Sequence, residues 1–409
     1  MSLRYSSILI FCIAWSVVGF PFLAALTSVL GVPSTEFSIA FRTLAAASAA
    51  TLLLKWNSRF SHLALVLFTI FWLAYFLRLY VATLLDSEDL RRPEQLYWIW
   101  AFGACFLPAL AVLIHSNRIN FDKIYFWILS LSIATIILSL AKANTLLQGS
   151  GGNEFDINRL HLSSLNPISL GHLGITCALL GICGFISRDL VGRYYWMAVS
   201  AIGLGLSIAI LANSRGPLLA FAVCVILLIL GRARQLSTYM LIGILIVAAV
   251  FAFIFQLDVI FSENGVLSRF SDISSGDAAS MGRLIAYQGA LNQFLDSPIF
   301  GDAIEERVTG FYPHNVLLEA FMATGVVGGI PFTSFIILGL LCAWRLVRTS
   351  SQELWVGVLA TQYFVGAMLS GAIYTSNTMW VLIAMVICSR INKGSKPQLT
   401  QVGRNEGNV

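Results

Sequence analysis

The sequence predicts an all-α membrane protein: a polytopic bundle of about twelve transmembrane helices with one large outer loop. Composition, apolar run length and the placement of basic residues each point there. Hydrophobic residues make up 58% of the 409 positions and charged residues 11%, against about 25% charged in soluble domains. The apolar runs last about twenty residues, the length a helix needs to cross hydrocarbon. Barrel strands would instead alternate over about ten. A bilayer offers no water to pair backbone groups, so runs of this kind close their hydrogen bonds internally as helices.

In chain order the apolar runs fall at 6–31, 37–55, 62–85, 96–115, 124–147, 168–187, 194–213, 217–231, 238–256, 325–344, 354–372 and 376–390. The first continues to about Val32 without a small-residue cleavage pattern, which is expected of a first span rather than a removed signal peptide. Cys12, Cys105, Cys177, Cys183, Cys224, Cys342 and Cys388 all sit inside apolar runs, and none forms a CxxC pair. They read as small buried residues without a disulfide or metal role. Residues 1–392 form a single transmembrane domain on this reading, and the polar 393–409 stretch is a disordered cytoplasmic tail.

Alternating the runs from a cytoplasmic N-terminus puts basic residues in every cytoplasmic turn. These are Arg4; Lys55 and Arg59; Arg118 and Lys123; Arg188 and Arg193; Arg232 and Arg234; Arg345 and Arg348; and Arg390, Lys393, Lys396 and Arg404 in the tail. That pattern obeys the positive-inside rule and makes both termini cytoplasmic. Ten basic residues fall on the other side: Arg42, Arg78, Arg91, Arg92, Lys142, Arg159, Arg215, Arg269, Arg283 and Arg307. Nine are arginine, whose planar fork binds phosphate at two points and keeps its charge, so the set suggests an anionic, phosphate-bearing ligand.

The outer surface divides into a minor loop, 148–167, and a major loop, 257–313. In the major loop Arg283 to Phe294 has helical apolar spacing and suits a helix at the membrane surface or against the bundle. Its acids Asp296, Asp302, Glu305 and Glu306 can bind a cation or pair with the loop arginines. No phosphate-cradling glycine loop occurs, which argues against a chain that spends ATP itself. No repeat and no nucleic-acid motif is present.

His314 is the leading catalytic candidate, because a neutral imidazole takes a proton from a sugar hydroxyl near neutral pH. Asn315 beside it can orient the ring or a substrate. Arg215, in Asn213-Ser214-Arg215-Gly216-Pro217, occupies a tight turn between two apolar runs, where a charge usually lines a cavity. Arg283 and Arg159 are the other candidate anion ligands, with Ser214 in support. Arg42 and Arg78 lie near outer span ends and can face the same cavity. Arg91 and Arg92 read as a pair facing solvent or headgroups. His161 and His172 have no carboxylates at ligand spacing, and a core role is expected of them.

Three ordered elements resemble the O-antigen ligase and polymerase superfamily of bacterial membrane glycosyltransferases: Asn213-Ser214-Arg215-Gly216; Gly282-Arg283 with Asp296-Ser297-Pro298-Ile299-Phe300-Gly301; and His314-Asn315, nine residues, then Gly325-Val326-Val327-Gly328. They lie within residues 155–385, and the last is most like the O-antigen ligases. The resemblance implies a GT-C-like enzyme of the bacterial inner membrane with its active site facing the periplasm. Such an enzyme moves a glycan from undecaprenyl diphosphate to a lipid A core sugar, with inversion and with neither metal nor cofactor. It further implies His314 as general base and Arg215, Arg283 and Arg159 as diphosphate ligands. Within the superfamily the alternative is O-antigen polymerase, with a carrier-linked repeat as acceptor. Outside it the alternative is a flippase for lipid-linked oligosaccharides, which would be expected to place charges at the bilayer midplane.

Overall fold

A computed structural model describes residues 2–32, 34–54, 61–84, 90–115, 119–146, 160–162, 165–232, 278–350 and 352–394. Arg159, Arg269, the run at 238–256, loop residues 257–277 and the tail from 395 lie outside them. The helices are α1 (Ser2–Ala14), α2 (Phe20–Leu30), α3 (Ser34–Leu53), α4 (His62–Leu84), α5 (Glu94–Trp98), α6 (Leu107–Ile114) and α7 (Phe121–Leu146). After them come α8 (Pro167–Ile186), α9 (Arg188–Leu211), α10 (Arg215–Arg232), α11 (Ala278–Asp296), α12 (Val316–Thr349), α13 (Leu354–Ser370) and α14 (Asn377–Gly394). Wider π-helical turns, Trp15–Gly19 and Ile99–Phe106, join α1 to α2 and α5 to α6. Among the described residues no strand forms, only the isolated bridges Leu162–Leu165 and Glu306–Phe311.

The chain is a multi-pass membrane protein. Eight described spans are long and apolar enough to cross a membrane, and three shorter apolar helices accompany them. Eleven of the twelve predicted runs coincide with described helices, and the remaining one is the run outside the described residues. The run expected at 325–344 begins where α12 is broken at Gly325, and a further helical stretch from Val316, capped by Asn315, precedes the break. The Asn315 side-chain oxygen accepts from Leu317 N (3.0 Å) and Leu318 N (3.1 Å), satisfying two of the helix's orphan donors.

The centre of the bundle is aromatic. On α4, Phe68, Phe71, Trp72 and Tyr75 recur at helical spacing and are fully or almost fully buried. They pack on Phe332 and Phe335 of α12 and on Trp380 of α14. Elsewhere α8 and α9 meet almost backbone to backbone: a Cβ at Gly174 would stand 2.6 Å from the Gly205 carbonyl oxygen. Small residues permit this approach where lipid removes most of the hydrophobic drive between helices. It fixes the N-terminal end of α8, which Asn166 caps through Ser169 N at 2.8 Å.

The surface helix expected from Arg283 to Phe294 is α11, longer at both ends. Its small residues Ala286 and Ala290 are buried, and Phe294 meets Phe321 of α12 edge-on at 5.4 Å. Leu284, Leu291 and Leu295 stay exposed, as suits a helix lying against lipid.

Candidate active site

The approach to His314 is held by a lock between two glycines. Gly325 interrupts α12 with φ 58°, and Gly301, in the loop that follows α11, has φ 75°. A Cβ on Gly325 would lie 2.3 Å from the Ile299 carbonyl oxygen, and one on Gly301 would lie 2.3 Å from the Ala323 carbonyl carbon. Only residues without a Cβ fit this close, left-handed crossing. The break frees backbone groups that the loop then satisfies: Val326 N donates to Pro298 O (2.8 Å), and Asp302 N donates to Met322 O (2.9 Å). Arg78 closes the lock from α4, its Nε donating to Ala323 O at 3.2 Å and Nη2 to Phe300 O at 3.3 Å. The glycine that follows His314 by the family spacing is therefore an anchor for the loop.

From that anchor the chain runs back to His314 through three satisfied carboxylates. Asp302 pairs with Arg307 at 2.7 Å, and this contact holds its carboxyl below the usual carboxylate range. Glu306 accepts from Val308 N and Thr309 N, each at 2.7 Å. Glu305 accepts from Tyr97 Oη (2.5 Å), Arg91 N (2.9 Å) and Tyr374 Oη (3.4 Å). The loop acids thus serve the loop's own architecture.

His314 has φ 57°, a left-handed conformation that an L side chain adopts at a cost. Its ring lies 4.5 Å from Tyr312 and 5.2 Å from Phe311, centroid to centroid, and its buried Nδ1 has no hydrogen-bond partner. Burial, then the positive charge of Arg283, push the imidazole down to about 4, against a backbone hydrogen bond at Ser370 that raises it. The ring is therefore neutral at physiological pH and keeps a lone pair for a proton. Burial raises the neighbouring Tyr312 hydroxyl to about 12, so it stays protonated.

His314 opens into a cavity of about 630 Å³. The walls come from the α1–α2 turn, α3, Arg92, Trp100, the start of α8 and the segment joining α13 to α14. Of the expected anion ligands, Arg283 is brought within electrostatic range of His314 and Tyr312 but does not line the cavity. Arg215 opens α10, away from the lining, and a Cβ on Gly171 beside cavity-lining His172 would sit 2.9 Å from its neighbour Pro217. Ser214 is buried, and Asn213 is, with His314, one of two left-handed non-glycine residues among those described. Both sit beside an expected site residue at a helix start. Arg159 lies outside the described residues.

Other placements sharpen the sequence analysis. Arg42 lines the cavity, whereas Arg78 belongs to the glycine lock. Arg92, expected to face solvent or headgroups, is exposed and lines the cavity too, and Arg91 lies over Phe311 at 4.7 Å. His172 faces the cavity, stacked with Tyr363, while His161 does not line it. Among the described residues no group of three His, Cys, Asp or Glu side chains is placed to hold a metal ion, and the seven cysteines are buried and free.

Residues 199–333 match the family model described as O-antigen ligase (Wzy_C). The matched stretch is about a third of the chain, and over it the chain is similar to the O-antigen ligases. No curated protein matches the chain. The family-matched stretch contains both left-handed residues, Arg215, Arg283 and His314, and nearly all of the glycine lock. It also contains a residue that sequence reasoning missed. Glu319, on the first turn of α12, is fully buried, accepting from Ile373 N (2.8 Å) and Tyr75 Oη (3.2 Å). Those bonds tie the helix that follows His314 to the segment forming the opposite cavity wall. A lone acid in an otherwise apolar stretch was the signal that could have found it.

Proposed function

We propose that the chain transfers an O-antigen glycan from undecaprenyl diphosphate to a lipid A core sugar, at the periplasmic face of the bacterial inner membrane. The observation that carries this reading is His314: a neutral imidazole at a cavity edge, in a costly backbone conformation, within the field of an arginine. Its role is general base for the acceptor hydroxyl, a contribution of about 10²- to 10⁴-fold. The donor arrives activated, so the protein's part is to position it and to meet the charge of the departing diphosphate.

Arg283 and Arg215 are assigned to that charge, with Arg159 as a third ligand. Arg283 also couples the two tasks. An anion against its guanidinium cancels the field that depresses His314, so the base strengthens when the donor is in place. Attack from the face opposite the diphosphate inverts the anomeric carbon. The carrier diphosphate leaves without a general acid once its charge is met.

The test is His314→Ala in a strain making long-chain lipopolysaccharide. Full-length glycan left on the carrier, with bare lipid A core, is expected. Single-repeat lipopolysaccharide would instead make the chain a polymerase, and normal capped lipopolysaccharide would remove His314 from the reaction. Arg283→Lys and Arg215→Lys are expected to lose most activity despite retaining charge, because the two-point fork is gone. Wild-type rates in either would contradict a bidentate clamp.

A further inference from the structure

The cavity beside His314 is strongly and one-sidedly cationic. Arg42 and Arg92 both line it, and no Asp or Glu is among its described lining residues. Arg42 comes from α3 and Arg92 from just before α5, so sequence-distant elements converge. Both guanidinium carbons lie over the Trp100 ring, at 4.9 and 5.5 Å from its centroid. The two charges are close enough to oppose each other.

Neither arginine has a carboxylate partner among the described residues. Arg42 donates through Nη1 to Ser38 O at 3.0 Å, which holds its stem but cancels no charge. The nearby acids Glu305 and Glu319 are committed to tyrosines and backbone amides instead. Two like charges over one indole, that of Arg42 partly withdrawn from water, are unfavourable until an anion arrives. Trp100 also stacks on cavity-lining Tyr374, with 5.7 Å between centroids and 7° between planes. Flat aromatic faces beside hydroxyl and amide side chains such as Ser370, Thr375 and Asn377 suit a sugar ring.

We propose that Arg42, Arg92 and Trp100 form a second anion subsite, separate from Arg215 and Arg283, that holds a phosphate-bearing sugar lipid in the cavity next to His314. This rests on the glycosyltransferase reading above. Such a phosphate has two sources, a phosphorylated core sugar on the acceptor or the diphosphate of the donor. Arg42 and Arg92 line the cavity with His314 whereas Arg283 does not, so a ligand held by the first two meets the base from within the cavity. Two separated anion sites around one base would give donor and acceptor each a place.

The test is equilibrium binding by microscale thermophoresis to the full chain in nanodiscs. The variants are Arg42→Gln, Arg92→Gln and the pair. The probes are a phosphorylated lipid A core glycolipid, the same glycolipid after phosphatase treatment, and undecaprenyl diphosphate. Each arginine removed is expected to weaken binding of one phosphorylated probe about tenfold or more. The paired variant should no longer distinguish the phosphorylated from the phosphatase-treated glycolipid if the acceptor is the source. A loss confined to undecaprenyl diphosphate assigns the subsite to the donor.

Arg92 is exposed, so Arg92→Gln is expected to fold even if the Arg42 variant does not. Wild-type affinity of the Arg92 variant for both phosphorylated probes, at an unchanged melting temperature, overturns the subsite. The glycosyltransferase reading fails separately, if the wild-type chain transfers no glycan in vitro while these binding losses persist.

Discussion

The family-matched stretch and the rest of the chain contribute to the cavity in different currencies. The stretch 199–333 supplies Phe311, Tyr312 and His314 to the lining and little else, but it holds the proposed base His314, nearly all of the glycine lock and both left-handed residues. The first 115 residues and the segment from Tyr363 to Met379 supply most of the wall, including both lining arginines. The difference teaches where chemistry and selectivity reside. On the proposed function a base must be placed closely, and backbone strain and glycine contacts can do this locally. The cavity wall is assembled from distant helices and leaves no short motif.

The largest effect that would break this division is at His314. In a purified transfer assay His314→Ala is expected to lose about 10²- to 10⁴-fold in rate. His314→Gly should lose as much rate and yet melt no lower than wild type, because glycine accepts φ 57° without strain. If the glycine variant melts well below wild type, the conformation is paid for by structural contacts of the ring and not by a catalytic requirement.

Gly325→Ala comes next, and it acts on stability first. Its Cβ would meet the Ile299 carbonyl oxygen at 2.3 Å in a left-handed backbone. A loss of about 3 kcal/mol or more is expected, read as a fall in melting temperature and folded yield. Glu319→Ala should cost about 2–3 kcal/mol by leaving Ile373 N and Tyr75 Oη buried without an acceptor. Glu319→Gln keeps one acceptor and should fall between. Wild-type melting of Glu319→Ala would show that α12 and the facing wall are not tied through this carboxylate.

These residues also show what the sequence displayed and what it hid. Helix positions followed from hydropathy, since a run such as 62–85 has no other way to satisfy its backbone in hydrocarbon. His314 stood out as an imidazole at the end of the large outer loop, and α11 was visible from its spacing. Asn315 was legible as a neighbour able to orient the ring or a substrate, but its work as a cap was not, because capping is defined by the φ/ψ of the residues around it. Arg92 read as facing solvent or headgroups because nothing local links it to Trp100 or to α3. Glu319 was visible as a lone acid in an apolar stretch, but its partners were not, lying 244 and 54 residues away. Long-range convergence of this kind has no signature in a single chain.

A smaller effect tests the field at the base. A general base must be neutral, so the acid limb of the kcat/KM profile should follow His314 in the free enzyme, at about pH 4 rather than 6.5. Arg283→Gln removes a positive charge that disfavours the imidazolium, so the limb should move upward. It should stop short of 6.5, because burial is the larger cause and remains. A limb that stays put would mean Arg283 does not reach the base electrostatically. A downward movement would give its charge the wrong sign of effect.

The smallest expected effect separates the two roles open to Asn315. As a cap it accepts from Leu317 N and Leu318 N, a contribution of about 1 kcal/mol. Asn315→Ala should lower the melting temperature by a few degrees, and Asn315→Asp should restore it, since a carboxylate caps as well and suits the positive end of the helix. If capping is the whole role, the Asp variant also recovers the transfer rate. If the carboxamide nitrogen donates to substrate, the Asp variant melts like wild type but stays slow, because the donor has become an acceptor. That outcome would move Asn315 from the scaffold of α12 into the group that touches the reacting sugar.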